Sequence, residues 1–166
     1  METSPWSLSA NSEVHVVANV SIAVQNWLTL NVTPTGLQWY ETKGRRLLDA
    51  IATFWSSRVE FSKEKNAYVI LGVMPPDEYC SKCDNSAYTN AAAALALAGP
   101  AVMSRLFNQE VTDDQNTWEA ISHKIWMPFD EEEGVMLEYE NYKTGEFIMF
   151  FYDILMTVHR HHCETG

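Results

Sequence analysis

Basic side chains are scarce in this chain. Eleven Lys and Arg stand against twenty-two Asp and Glu, for a formal charge of −11 over 166 residues. Binding along a phosphate backbone draws on a surplus of Lys and Arg, so nucleic acid is not an expected partner. Cysteine is scarce as well: Cys80, Cys83 and Cys163 form an odd set, unlike the disulfide framework of a small secreted domain. No stretch reaches the roughly 20 apolar residues that span a bilayer. The most apolar one, "FIMFFYDILMTV", is broken by Asp153 and reads as a buried helix or strand. Residues 1–15 lack the succession of charged region, apolar region and cleavage site of a signal peptide, so a soluble, cytoplasmic chain without membrane association is expected. Repeats, low-complexity tracts and linkers are also missing, which leaves a single domain. Two glycosylation sequons, at Asn19 and Asn31, are weak matches, and the first falls inside an expected helix.

What is abundant is apolar and aromatic. Hydrophobic residues make up 46 % and aromatics 12 %, with six tryptophans, a composition that packs rather than one that stays disordered. From Glu13 to Leu30, Val14, Val17, Ile22, Val24, Trp27 and Leu28 recur near helical spacing, and Asn31 to Thr35 break the pattern. Thr35 and Gln38 have capping-box spacing, and a stripe from Leu37 through Tyr40, Leu48, Ile51 and Trp55 predicts a second helix to about Arg58. Two long helices on a short turn make an αα-hairpin. "AYVIL" reads as a short strand, and "SAYTNAAAALALAG" as a helix ended by Gly99-Pro100. Thr112 and Gln115 form a second capping box, opening a helix that carries Trp118, Ile121, Ile125 and Trp126 as far as Pro128. "DEEEG", residues 130–134, reads as a solvated acidic turn. The fold class expected is all-α, four or five helices with at most one strand.

The chemistry-bearing segment is Gly72 to Asn90, "GVMPPDEYCSKCDNSAYTN". Pro75 and Pro76 favour an extended entry into Asp77-Glu78, and in an extended chain neighbouring side chains point to opposite faces. At most one carboxylate of the pair then faces any one pocket. Walled by Tyr79 and Tyr88, Glu78 would be desolvated and held protonated, as a general acid requires. A capped structural turn, with Asp77 or Asp84 capping the next helix, accounts for the same residues.

The order Gly-Val, Asp-Glu-Tyr, Asp-Asn, Ala-Tyr-Thr-Asn resembles the signature of glycoside hydrolase family 65. "EVHVVANVSIAVQNWL", "GRRLLDAIATFWSSRVE" and "WEAISHKIWMPFDEEEGVMLEYENYKTGE" resemble further family segments in the same order, so the likeness runs from about Glu13 to Glu146. Within the family, "GVMPPDEY" is most similar to the animal glucosidases that act on the disaccharide of hydroxylysine. The resemblance implies part of an (α/α)6 barrel of twelve helices, an incomplete one, because such a barrel needs well over about 200 residues. It implies that Glu78 is the general acid that protonates the glycosidic oxygen, and that Asp77, Tyr79, Asp84, Asn85, Tyr88 and Asn90 shape the sugar site. His15, in a Glu-x-His arrangement that relatives share, joins them as a candidate pocket residue. The implied substrate is glucosyl-galactosyl-hydroxylysine or a related α-glucoside, with no cofactor and no metal.

Two departures stand out. Cys80 occupies a position where relatives commonly carry histidine, and the tail from residue 147 departs from the family pattern. The expected division is an N-terminal extension 1–12, a partial catalytic domain 13–146 and a divergent tail 147–166. Inverting hydrolysis needs a second carboxylate, about 6.5–9.5 Å from the acid, to activate water. The resemblance implies a base far downstream of the acid motif, so the isolated chain is expected to be inactive, with apolar helix faces that are exposed or covered by the C-terminal tail and that favour self-association.

Other readings compete with this one. Cys80-x-x-Cys83 is half a zinc site that His159, His161, His162 and Cys163 could complete, and the same pair could be redox-active. A non-catalytic interaction protein is a third possibility. His123 reads as structural, Trp27, Trp55, Trp118 and Trp126 as core rather than sugar platforms, and Trp6 as uninformative.

Overall fold

The computed structural model describes residues 12–76 and 80–143. Expectations for Trp6, Asp77, Glu78, Tyr79, "FIMFFYDILMTV" and the His159–Cys163 cluster therefore lie outside the described residues.

Helix α1, His15–Leu30, buries His15, Ala18, Ser21 and Leu28 on one face. Its end is closed by Asn31, whose Nδ2 donates to the Trp27 carbonyl at 2.7 Å. The next helix starts earlier than the capping-box spacing predicts. Thr33, not Thr35, is the N-cap of α2, Pro34–Trp39, and its Oγ1 accepts from Gly36 N at 3.2 Å. Pro34 fills the first helical position, where a missing N–H costs nothing. A Cβ at Gly36 would overlap the Asn31 carbonyl oxygen, so the tightness of this turn requires glycine. A π-helical turn over Tyr40–Gly44 joins α2 directly to α3, Arg45–Arg58, whose buried stripe is Leu48, Ile51, Ala52 and Trp55.

A hairpin of β1, Glu60–Ser62, and β2, Ala67–Val69, follows in antiparallel register with Phe61 opposite Tyr68. Helix α4 then runs from Ala87 to Leu106 and passes through Gly99-Pro100 without ending there. Propensity loses to tertiary context at this point. The helix is the centre of the packing, with α1 and α3 against it and α5, Asp113–Ser122, on a further side. Its alanines, Ala92, Ala93, Ala96 and Ala101 among them, are buried and let three helices come close. One turn ahead of the proline, Gln25 Nε2 of α1 donates to the Leu95 carbonyl at 3.2 Å. Gly99 leaves the room that this carboxamide fills.

The capping box of α5 forms as expected: Thr112 Oγ1 accepts from Gln115 N and Gln115 Oε1 accepts from Thr112 N. The helix stops at Ser122, however, short of Ile125 and Trp126. Residues 124–126 instead run beside β2, with Tyr68 N donating to Lys124 O at 2.7 Å and Trp126 N to Tyr68 O at 2.8 Å. Ile125 reaches the core from this extended segment, which is why its spacing mimicked a helix. A second hairpin, β3 Phe129–Asp130 with β4 Val135–Met136, turns through the exposed glutamates 131–133 and Gly134 at φ 68°. The acidic run is thus a solvated turn, and the described residues hold two short hairpins where at most one strand was expected.

Two cores result. Ala18, Ile51, Trp55, Ile70, Val73, Leu97 and Ile125 form one, around the first half of α4. Leu28, Tyr40, Leu48, Met103 and Phe107 form the other, with Tyr40 stacked on Phe107 at 5.1 Å. A buried polar chain lines the second: Tyr40 Oη and Ser104 Oγ are 2.8 Å apart, Ser104 Oγ donates to Gln115 Oε1 at 3.0 Å, and Gln115 Nε2 donates to Asp49 Oδ1 at 2.9 Å. Every link has a partner, the condition under which burying such groups stabilises rather than costs.

Trp55 is fully buried as expected, but Trp27 is not a core residue: it is 44 % exposed and meets Trp39 edge to face at 5.0 Å. With Val20, Ala23 and Val24 the two rings line an open apolar groove on the outer side of α1. Val16 and Leu30 extend that exposed face. No described helix is long and apolar enough to cross a membrane.

Candidate active site

The segment that carries the Asp-Glu-Tyr motif is a loop with a tied base. Val73 and Cys83 exchange both backbone hydrogen bonds, at 2.8 and 2.7 Å, in an antiparallel bridge. Next to it, Gly72 N, in a left-handed residue at φ 63°, donates to Asp84 Oδ1 at 2.8 Å. Asn85 completes the closure. It sits at φ 52°, a conformation that asparagine tolerates better than most residues. Its N–H donates to Ile70 O at 2.8 Å while its Oδ1 accepts from Ile70 N at 3.0 Å, so one residue supplies both halves of a strand-like pairing.

The other end of the Asn85 carboxamide points at Glu140. Nδ2 donates to Glu140 Oε2 at 2.7 Å, and Lys65 Nζ holds Oε1 at 2.5 Å. Lys65 also lies over the Trp126 ring, 4.2 Å from its centroid. Burial alone would raise the Glu140 pKa, but the hydrogen bonds from Lys65 and Asn85 and the Lys65 charge outweigh it and leave the carboxyl below its ordinary value. Asn90 extends the network, with Nδ2 donating to Trp126 O at 2.7 Å and contacting Asn85 Oδ1 at 3.3 Å. Asn85 and Asn90 have no accessible surface, and Asn90 Oδ1 has no partner among the described residues.

Asp84 does not cap α4, and Asp77, the other cap candidate, lies outside the described residues. Ser86 is the N-cap, its Oγ accepting from Thr89 N, while Asp84 is engaged by Gly72. Tyr88, in the first turn of α4, donates from Oη to Asn19 Oδ1 of α1 at 3.1 Å. Its ring meets His15 edge to face at 5.6 Å. Met74 N, on the outgoing arm of the loop, donates to Ser12 O at 3.0 Å, which docks that arm on the start of α1.

His15 is therefore packed between the loop arm and Tyr88, with 6 % of its surface exposed. Burial lowers its pKa; a hydrogen bond involving the Met74 backbone and the nearby Glu13 carboxylate pull the other way without cancelling it. The imidazole is consequently biased to its neutral form. Its Nδ1 is buried with no hydrogen-bond partner among the described residues, which is uncommon enough for a polar atom to mark a position that takes a partner.

Of the sequence-predicted site residues, the structure brings His15, Asp84, Asn85, Tyr88 and Asn90 to one end of α1 and α4. Asp77, Glu78 and Tyr79 lie in sequence between His15 and Asp84, outside the described residues. Sequence reasoning missed Lys65, Trp126 and Glu140, which sit in three separate segments with no shared motif. Cys80 and Cys83 are bonded to each other as a disulfide, a state in which neither sulfur is a thiolate available to zinc. No cluster of metal-ligating side chains occurs among the described residues.

Residues 1–152 match the family model described as the glycosyl hydrolase family 65 central catalytic domain. That match takes in the expected N-terminal extension and reaches into 147–166. Similar curated proteins include protein-glucosylgalactosylhydroxylysine glucosidase of Gallus gallus, 34 % identical over 87 % of this chain and 20 % of the relative. The same enzyme of Mus musculus is 32 % identical over 88 % and 20 %, and kojibiose hydrolase of Mucilaginibacter mallensis is 34 % identical over 87 % and 20 %. The chain thus spans about a fifth of the length of these relatives. A solved structure described as a candidate kojibiose phosphorylase from human microbiome superposes with a TM-score of 0.59 at 18 % identity, over 74 % of this chain and 19 % of the other. At that identity the likeness is one of fold.

Two outcomes are expected of the loop base. Asn85→Ala removes the Ile70 partner and the Glu140 contact and forces a left-handed alanine, whereas Asn85→Gly loses the same contacts but relieves the backbone strain. Each variant should melt earlier in urea by the equivalent of about 1–3 kcal/mol, with the alanine form the worse by roughly 0.5–1 kcal/mol. Equal stability of wild type and Asn85→Gly would mean that the side-chain pairing contributes no more than the relief of backbone strain returns. Separately, a carboxyl whose folded pKa is depressed adds stability that is complete above the ordinary value of 4.5 and is lost as pH falls through the lower folded value. Urea midpoints measured from neutral pH downwards should fall in that range, and the fall should be shallower in Glu140→Gln.

Proposed function

Because this chain belongs to glycoside hydrolase family 65, we propose that it carries the general-acid part of an inverting glucosidase site, with Glu78 as the acid. The substrate is glucosyl-galactosyl-hydroxylysine or a related α-glucoside, a class suggested by the names of the relatives. In this reading Glu78 delivers its proton to the glycosidic oxygen as the bond to the anomeric carbon breaks. A water on the opposite face of the sugar, deprotonated by a second carboxylate, takes the vacated position with inversion. Asp77 and Tyr79 flank the acid; Asp84, Asn85 and Asn90 hold the base of its loop; Tyr88 and neutral His15 line the adjoining wall. The His15 Nδ1, which has no partner among the described residues, is available to a sugar hydroxyl or to a group of the loop.

The observation that supports this reading best is the tied loop base. Its described arms are tied to each other through Val73 and Cys83, to Ile70 through Asn85 and to the start of α1 through Met74, so the segment that carries the motif leaves and returns at fixed points, as positioning of an acid demands. The base is assigned outside these 166 residues, since they match only about a fifth of each relative and correspond to part of an (α/α)6 barrel. The chain by itself should then release no glucose from glucosyl-galactosyl-hydroxylysine above buffer, and neither should Glu78→Gln. In a chain extended through the remainder of the catalytic domain, Glu78→Gln should cut turnover of the natural substrate by about 10²–10⁴-fold and lose far less with an activated leaving group that needs no proton. Activity that survives the substitution on both substrates removes Glu78 from the role.

The α1 face that exposes Val16, Val20, Trp27 and Leu30 is read as a surface for other helices of the domain. At 166 residues the chain should self-associate through it. Sedimentation velocity should show concentration-dependent species that Trp27→Glu returns to monomer; a monomer at every concentration would refute this.

A further inference from the structure

Cys80 and Cys83 are not absorbed by the glycosidase reading. Their separation of 3 residues closes a ring so short that it restrains the unfolded chain far less than an ordinary disulfide loop. Nor does Cys83 need the bond to stay in place, because both its backbone groups are held by Val73 and its neighbour Asp84 is held by Gly72. The bond's distinct effect is on Cys80, two positions after Glu78 in the sequence. The two residues differ in exposure: Cys80 is half-buried, and Cys83 is 4 % exposed. Lys82, exposed between them, supplies a positive charge of the kind that favours thiolates.

We propose that Cys80–Cys83 is a redox-modifiable site, opened at Cys80 by a small monothiol of the glutathione type, and that its state sets how firmly the arm between Cys80 and the loop base is held. The bearing of this on catalysis rests on the reading of Glu78 given above. The exchange is balanced in two steps. A thiolate attacks Cys80 Sγ; a new S–S bond forms to Cys80, the Cys80–Cys83 bond breaks, and its electron pair leaves on Cys83 Sγ, which takes a proton from water. A second thiolate attacks the sulfur of the bound monothiol, giving the monothiol disulfide and a Cys80 thiolate that is protonated in turn. Two electrons have passed from two monothiols to the pair. In the bonded pair Cys83 Sγ lies 3.7 Å from the Cys80 carbonyl oxygen, so an acceptor for its proton is at hand when the bond opens.

The test uses the 166-residue chain purified without reductant. It is incubated in millimolar glutathione without denaturant, quenched with iodoacetamide and peptide-mapped so that Cys163 is scored apart. The bond should open at a rate within about tenfold of that in the urea-unfolded chain, with glutathione captured at Cys80. Given oxidised glutathione, whose disulfide the free thiolate attacks with release of one glutathione thiol, Cys83→Ser should be glutathionylated at Cys80, and Cys80→Ser at Cys83 at least about tenfold more slowly. Trypsin should cut after Lys82 at least about tenfold faster once the pair is reduced, because the peptide bond leaves a closed ring. A bond that survives glutathione until the chain unfolds would make the pair a structural staple. Equal capture in the two serine variants, or unchanged cutting at Lys82, would also overturn the proposal. None of these readouts involves a sugar, so failure of the glycosidase reading is seen separately, in the glucose assay.

Discussion

The arrangement of the candidate site depends on the reciprocal pairing of Asn85 with Ile70. A left-handed backbone lets the residue present its N–H and its Oδ1 to the same strand residue, and its amide nitrogen is left over for Glu140. Four segments are thereby joined: the extension of β2, the return arm of the loop, the turn of the first hairpin through Lys65, and the segment around Glu140. Removing the carboxamide would leave the buried Ile70 N–H without its acceptor and Glu140 Oε2 without its donor, which is why the closure has the character of a keystone. Gly72, Asp84, Val73 and Cys83 then add shorter ties in register with it.

Helix α4 is the second requirement. It begins at the loop base, with Ser86 as cap and Tyr88 in the first turn, and it ends in the second core beside Phe107. One helix therefore connects the loop's mount to the second core. Small side chains along it let α1 and α3 approach closely, and α1 brings His15 and Asn19 to the same end as Tyr88.

Much of this was legible in the sequence where physics is local. The stripe of α1, the stripe of α3 and the Thr112–Gln115 capping box are all patterns within a few turns of chain, and each formed. The αα-hairpin followed from them. What failed was decided by contacts distant in sequence. Pro100 should end a helix on its own, but burial against three neighbours and the space at Gly99 filled by Gln25 carry the helix past it. Ile125 and Trp126 keep helical spacing, yet the edge of β2 recruits them into an extended segment. Trp27 has the spacing of a core residue, and exposure on the outer face of α1 is a property of which helices are present around it. At the site, the family motif pointed to Asp84, Asn85, Tyr88 and Asn90 together, while Lys65, Trp126 and Glu140 could be found only in three dimensions. The position of Asn85 was legible; its left-handed backbone, and hence its double pairing, was not.

Pro100 has a further consequence for how the domain breathes. It cannot donate to the carbonyl of Ala96, and the residues of α4 that serve the first core, Ala92 to Leu97, all precede it, whereas Met103 of the second core follows. The interruption in the helix ladder falls between the two cores. The molecule thus has a natural seam for partial opening, with the half of α4 that mounts the loop on one side and the half anchored by Tyr40 and Phe107 on the other. Fluctuations that loosen the second core can be absorbed at that seam before they reach the loop, so the site is insulated from the part of the domain farthest from it.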